Sequence, residues 1–157
     1  MADFSFLKEY VFDLKDDKRL TSKHAFHELS NDEVEDAEKS INRRFPKELK
    51  EFYQQIGYGF LCKQDKKLND RIMDPGSIAD FILREDRFEY DEYRDMIDIE
   101  KEMVFFEVAE SSYLSLDLTQ EDENGVCPVL CFGNKIADSI LDFVKKMDAE
   151  TDYFINL

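Results

Sequence analysis

Apolar residues change their period midway along this 157-residue chain, and that change limits the fold more than any single motif does. In the first half they recur at three- and four-residue steps: Phe4, Leu7, Val11 and Leu14, then Val34, Ala37 and Ile41, then Leu49, Phe52, Tyr53 and Ile56. Each set traces one stripe of a helix. Farther on, "MVFFEVA" is a β-branched and aromatic run, and "YLSLDL" alternates, with Leu114, Leu116 and Leu118 on one face and Tyr113, Ser115 and Asp117 on the other. "VCPVLCF" adds a third β-like run after the turn signal Asn124-Gly125, and Pro128 must sit at an edge, a bulge or the first residues of its strand. Ile136, Ile140, Phe143, Val144 and Met147 then return to helical spacing. Helices, then strands, then a helix, without βαβ alternation, predict an α+β fold. The length suits a single domain over residues 1–157, its mainly antiparallel sheet packed with N-terminal helices and a C-terminal one.

Local signals place the boundaries. A first helix is expected over Phe4–Leu14, followed by a charged connector to residue 28. "SNDE" then offers a capping box, Ser30 with Glu33, and the helix it opens ends near Arg43-Arg44. Pro46 suits the first position of the next helix, Pro46–Ile56, and Gly57 the left-handed cap after it. A phosphate-cradling loop needs a strand, then glycines, then a helix N-terminus; here the helix comes first. Gly57, Tyr58 and Gly59 are therefore read as a structural turn with a close backbone passage into the first strand. "DPGSIADFIL" predicts a fourth helix from Pro75, and "EDRFEYDEYRDMIDIEKE" a loop with helical turns.

Charge is the loudest compositional feature: 21 bases against 37 acids give −16. From Arg84 to Glu123 there are 15 acids and 4 bases, net −11, so two-thirds of the excess lies in one quarter of the chain. Such a field repels nucleic acid and anionic membrane surfaces and steers a basic partner. No run of eighteen apolar residues occurs, the start "MADFSFLKE" lacks a basic leader region, and the cysteine count is odd. Those three features fit a cytoplasmic protein in a reducing compartment.

Catalytic and metal constellations find little support. Cys127 and Cys131 on one strand would stand about 13 Å apart, too far for one zinc, which leaves them as buried thiols. His24 and His27, in "KHAFHE", share a helix-like spacing without a third ligand nearby and read as a solvated pair. No serine or cysteine stands in a glycine-flanked elbow. Carboxylate pairs are too numerous for any one to be singled out as acid and base. No cofactor is expected, and the balance favours binding over catalysis.

These residues in this order resemble the SUKH superfamily. "EVEDAEKSI" followed by "FPKELKEFYQQIGYGF" is similar to its signature of a helix, a proline, a helix with Glu-Phe and a glycine-containing turn. Phe106 looks like the strand phenylalanine, Asp117 like the aspartate ending the next strand, "CPVL" like the Pro-Val strand, and Ser139 with Phe143 like the closing helix. The resemblance covers residues 29–147. Glu110-Ser111-Ser112, where the family often has small glycines, and the long acidic insert depart from it.

The resemblance implies a non-enzymatic module, for bacterial members an immunity protein that binds a toxin domain, frequently a nuclease or deaminase. The partner is then a basic protein domain, with the chain a monomer or weak homodimer. On that expectation Glu85, Asp86, Glu89, Tyr90, Asp91, Glu92, Tyr93 and Asp95 are candidate contacts, acids steering and tyrosines anchoring. The sheet face bearing Tyr113, Ser115 and Asp117 is the second candidate. A small-ligand-binding or regulatory scaffold of the same fold is the alternative, and a hydrolase using an unrecognised acid pair the third.

Overall fold

Seven short strands follow one another into a single antiparallel meander in the computed structural model, which describes residues 1–62, 70–108 and 112–156. They are β1 (Ala25–His27), β2 (Tyr58–Phe60), β3 (Arg71–Ile72), β4 (Glu102–Val108), β5 (Ser112–Asp117), β6 (Val129–Cys131) and β7 (Asn134–Ala137). Among the described residues five α-helices accompany them: α1 (Asn31–Ile41), α2 (Lys47–Gln55), α3 (Pro75–Leu83), α4 (Glu92–Met96) and α5 (Ile140–Ala149). The fold is α+β, as the change of period predicts.

Register assigns each residue a side of the sheet. Directly opposed residues share a face, so Phe26, Gly59, Ile72, Phe106 and Leu114 line one side across five strands. Helices α2 and α5 close that side. Phe52 of α2 meets Phe26 edge-on at 5.8 Å, and Phe143 of α5 meets Phe106 at 5.0 Å. Pairing slips between Val104 and Phe106, a bulge that sets two neighbouring residues toward the same side. Phe105 consequently reaches Phe143 as well, at 5.8 Å. Tyr113, Ser115 and Glu107 lie on the opposite side.

Several helix signals are met. The Ser30 N–H donates to Glu33 Oε2 at 2.9 Å ahead of α1, and Pro75 opens α3. Ser139 Oγ accepts the Asp142 N–H at 2.9 Å at the start of α5, and buried Glu48 of α2 accepts from Ile140 and Leu141 at 2.7 and 3.2 Å. That carboxylate holds two donors that the first turn of a helix leaves without intrahelical partners, and so fixes α5 to α2.

Other expectations are corrected. Phe4–Leu14 is not an α-helix but a 3-10 helix over Ser5–Tyr10, and Leu14 is 63% exposed. The chain leaves the helical path because Phe12 donates to the Phe26 carbonyl at 2.8 Å and Val11 bridges Phe26 in parallel, while Asp13 and Asp16 side chains take nearby amides. The connector expected to be polar contains β1, which makes β2 the second strand of the sheet. Helix α1 ends at Ile41 with Asn42 left-handed, short of Arg43-Arg44, and Pro46 precedes α2 instead of opening it. Ile136 belongs to β7, because the turn after β6 carries the chain straight back into the sheet.

Candidate partner-binding surface

The acidic segment folds as a cover over the outer side of β4 and β5. After α3, a 3-10 turn over Asp86–Phe88 buries Phe88, whose ring stands 5.4 Å from Phe81 and 6.2 Å from Tyr113. Helix α4 is held by its own polar residues. The Asp91 carboxylate accepts from the Tyr93 and Arg94 amides at 2.8 and 3.3 Å, and its other oxygen takes the Tyr113 hydroxyl at 3.0 Å. Tyr93 donates its hydroxyl to the Tyr113 carbonyl at 3.0 Å; burial, with Glu102 and Cys131 nearby, pushes its pKa up to about 12. Arg94 donates to the Phe81 and Ile82 carbonyls at 3.0 and 2.9 Å, placing a cation on the C-terminus of α3. Arg87 pins the segment to Glu107 of β4 at 2.6 Å.

This scaffolding divides the sequence candidates into two groups. Glu85, Asp86, Glu89, Tyr90, Glu92 and Asp95 are exposed, Tyr90 at 86%, and Asp95 pairs with Arg84 at 2.5 Å. Asp91 and Tyr93 are half-buried and serve the segment's own structure. Tyr113 and Ser115 do not form an open sheet face: both are buried, Tyr113 under Phe81 and Phe88, and Ser115 with its hydroxyl donated to Glu102 at 2.6 Å. Alternation of polar and apolar residues suggests a wet outer side, but the segment after α3 covers it. Asp117 ends β5 and caps the 3-10 turn Leu118–Gln120; slight burial raises its pKa, and hydrogen bonds from Thr119 and Gln120 outweigh that and lower it.

The sequence reading missed part of this surface. Beside α4 the β6–β7 turn projects Phe132, 60% exposed, with its ring 5.8 Å from that of Tyr93; Met96 nearby is 70% exposed. Between them lies an open cleft of about 250 Å³ lined by Tyr93, Met96, Ile97, Glu102, Phe132 and Gly133. Exposed apolar side chains beside a carboxylate, here Glu102, have the anatomy of an interface anchor and its polar rim. The signal for it is "FGN", which begins at the last residue of the third β-like run.

The histidines are also apart from their expected place. His24 is fully buried, its Nε2 2.7 Å from Asp148 of α5 and its Nδ1 accepting the Cys62 N–H at 2.9 Å. His27 lies on β1 with Nδ1 2.9 Å from the Phe12 carbonyl. The thiols of Cys62 and Cys127 are buried and that of Cys131 is half-buried; burial pushes the Cys127 pKa up to about 12, which keeps it protonated and unreactive. Among the described residues no helix is long and apolar enough to cross a membrane.

Comparison with known proteins agrees with the architecture. The family model SUKH_6, described as SMI1-KNR4 cell-wall, matches residues 31–145, from the start of α1 into α5. The chain is also 33% identical over 139 residues to the immunity protein YxxD of Bacillus subtilis (strain 168), covering 84% of this chain and 88% of that relative. The matched span takes in both the helix-to-sheet passage at Gly57 and the acidic cover, and by it the chain belongs to the SUKH family of SMI1-KNR4 type.

Proposed function

We propose that the chain is a non-catalytic immunity protein of the bacterial cytoplasm, a monomer or weak homodimer, that binds and neutralises a basic toxin domain through the acidic surface after α3. The relative's name supports the immunity role. The observation that carries the surface is the division within the acidic segment. Asp91, Tyr93 and Arg94 fix the backbone from beneath, and Glu85, Asp86, Glu89, Tyr90, Glu92 and Asp95 are presented outward. A pre-ordered acidic face loses little entropy on docking and attracts a cationic cleft of the kind a nucleic-acid-processing toxin requires. Occupying that cleft blocks the substrate path without any chemistry by the immunity protein.

The test is capture from a lysate of the source organism at low and moderate salt, followed by co-expression of the captured protein's basic domain. A toxin-like protein retained at moderate salt, whose growth inhibition the chain relieves, supports the reading. Recovery of salt-labile cationic proteins alone, with no protection, sinks it. Charge reversal at Glu85, Glu89 and Glu92 together is expected to slow association about 10- to 100-fold at low salt, with less effect on dissociation. These three positions are exposed, and none of them makes the bonds that Asp91 makes, so circular dichroism should stay unchanged.

A further inference from the structure

We infer that the cleft between α4 and the β6–β7 turn is the seat for an arginine side chain presented by the cationic partner, an inference that rests on the immunity reading and names its anchor. The cleft offers each part of an arginine something to contact. Tyr93 and Phe132 form an open aromatic angle, centroids 5.8 Å apart and planes at 57°, against which a flat guanidinium can stack. Met96 and Ile97 supply apolar surface for the methylene stem. Glu102 supplies a carboxylate: Ser115 donates to its Oε1 at 2.6 Å, and among the described residues no lysine or arginine is paired with it. Glu92, Asp95 and Asp98 are chain neighbours of the lining residues Tyr93, Met96 and Ile97, in a segment of net negative charge whose field favours a cation over a neutral side chain. A guanidinium fits this set better than an ammonium, since it is planar, weakly hydrated and able to donate twice to one carboxylate.

Backbone conformation at Phe132 is the independent observation. Cys131 pairs with Asn134, so Phe132 and Gly133 are the two central residues of the hairpin, and both have positive φ, 49° and 81°. Such a turn favours asparagine, aspartate or glycine; an aromatic side chain there is strained. Gly133 has nothing within 4 Å of the position a Cβ would take, so crowding does not dictate the turn's sequence. A strained, solvent-exposed phenylalanine on the wall of a cleft that holds the Glu102 carboxylate is placed for contact with something outside the chain.

The probe is N-acetyl-arginine amide, titrated while amide shifts are followed by NMR, with the neutral citrulline analogue, the lysine analogue and spermidine in parallel. Saturable shifts at Tyr93, Glu102, Phe132 and Gly133, with a dissociation constant of about 1 mM and at least about tenfold preference over citrulline, are expected. Phe132→Asn and Glu102→Gln should each abolish them. Phe132→Asn should also keep the wild-type Tm or raise it by about 2 °C, because asparagine accepts the positive φ, which separates lost binding from lost folding. Absence of saturable shifts in the cleft, equal binding of citrulline, or preference for the lysine analogue or spermidine overturns the arginine seat. Full retention of the toxin by both variants also overturns it and leaves the immunity reading intact. Failure to capture any toxin sinks that reading alone, since the titration judges the cleft without the partner.

Discussion

Alanine at Gly57 should destabilise the fold by about 3–5 kcal/mol, the largest effect expected of any single substitution considered for this chain. The argument is geometric. Gly57 has φ +120°, and a Cβ built there falls 2.0 Å from the His27 carbonyl oxygen and 2.8 Å from its carbon. Gly59 repeats the situation two residues on: φ is +139° and the added carbon falls 2.4 Å from the Ala25 oxygen. Both contacts are with backbone of β1, which cannot rotate aside as a side chain would, so β1 and β2 would have to separate. Losing β1 would also withdraw Phe26 from Phe52 and open the α2 side of the core. Gly133→Ala is the control. It too has positive φ, but with open space around it, and should cost about 1 kcal/mol. Urea unfolding of the three proteins decides the point. A Gly57→Ala midpoint close to that of Gly133→Ala would mean that β1 does not pass so near.

That result bears on what the sequence could disclose. The glycine pair was legible as a close backbone passage because the order of elements, helix before glycines, left no other strong reading. The partner in that passage was not legible. β1 is three residues long and draws its order from β2 and from Phe26 entering the core, so no periodic signal marks it. The same limit applies at Leu14, where local side-chain bonds and a bridge to β1 end a helical stripe that spacing alone would extend. Long elements with regular spacing, α1, α2, α5 and the β4–β5 pair, were readable; tertiary pairing decided the short ones. The bulge that turns both Phe105 and Phe106 toward Phe143 has no sequence mark at all.

At the candidate surface, composition located the acidic segment but could not sort its members. Asp91 and Glu92 are neighbours in the chain with opposite duties: one caps α4 and holds the Tyr113 hydroxyl, while the other faces solvent. Alternation in β5 suggests an outer face for Tyr113 and Ser115, and only the fold shows that Phe81 and Phe88 cover Tyr113 and that Ser115 is buried with its hydroxyl on Glu102. In "VCPVLCF" Phe132 reads as the end of a strand, whereas the pairing of Cys131 with Asn134 places it at a hairpin tip.

His24→Ala is expected to cost about 2–4 kcal/mol, because the residue read as half of a solvated pair joins three parts of the chain. The Cys62 N–H donates to Nδ1 at 2.9 Å, so the ring proton resides on Nε2 and is donated to Asp148 at 2.7 Å. Lys23 also reaches Asp148, at 2.9 Å, and the Tyr10 ring stands 4.7 Å from the imidazole. Alanine would remove the imidazole acceptor of the Cys62 N–H and the link from the segment before β1 to α5. The imidazole also makes stability depend on pH. Burial pulls its pKa below the ordinary value of 6.5, and the bond to Asp148 only partly opposes this. The unfolded chain therefore takes up the proton first as pH falls, so the stability contributed by neutral His24 is complete above the unfolded value and is lost as pH drops through it toward the folded one. His24→Gln keeps one donor and one acceptor but cannot titrate in this range. Its unfolding free energy should fall less than the wild type's between about pH 7 and 5.5, whereas carboxylates held below their usual range, such as Asp74 and Asp142, act only in more acidic solution. Parallel slopes for the two proteins across that window would show that His24 is not held neutral by its burial.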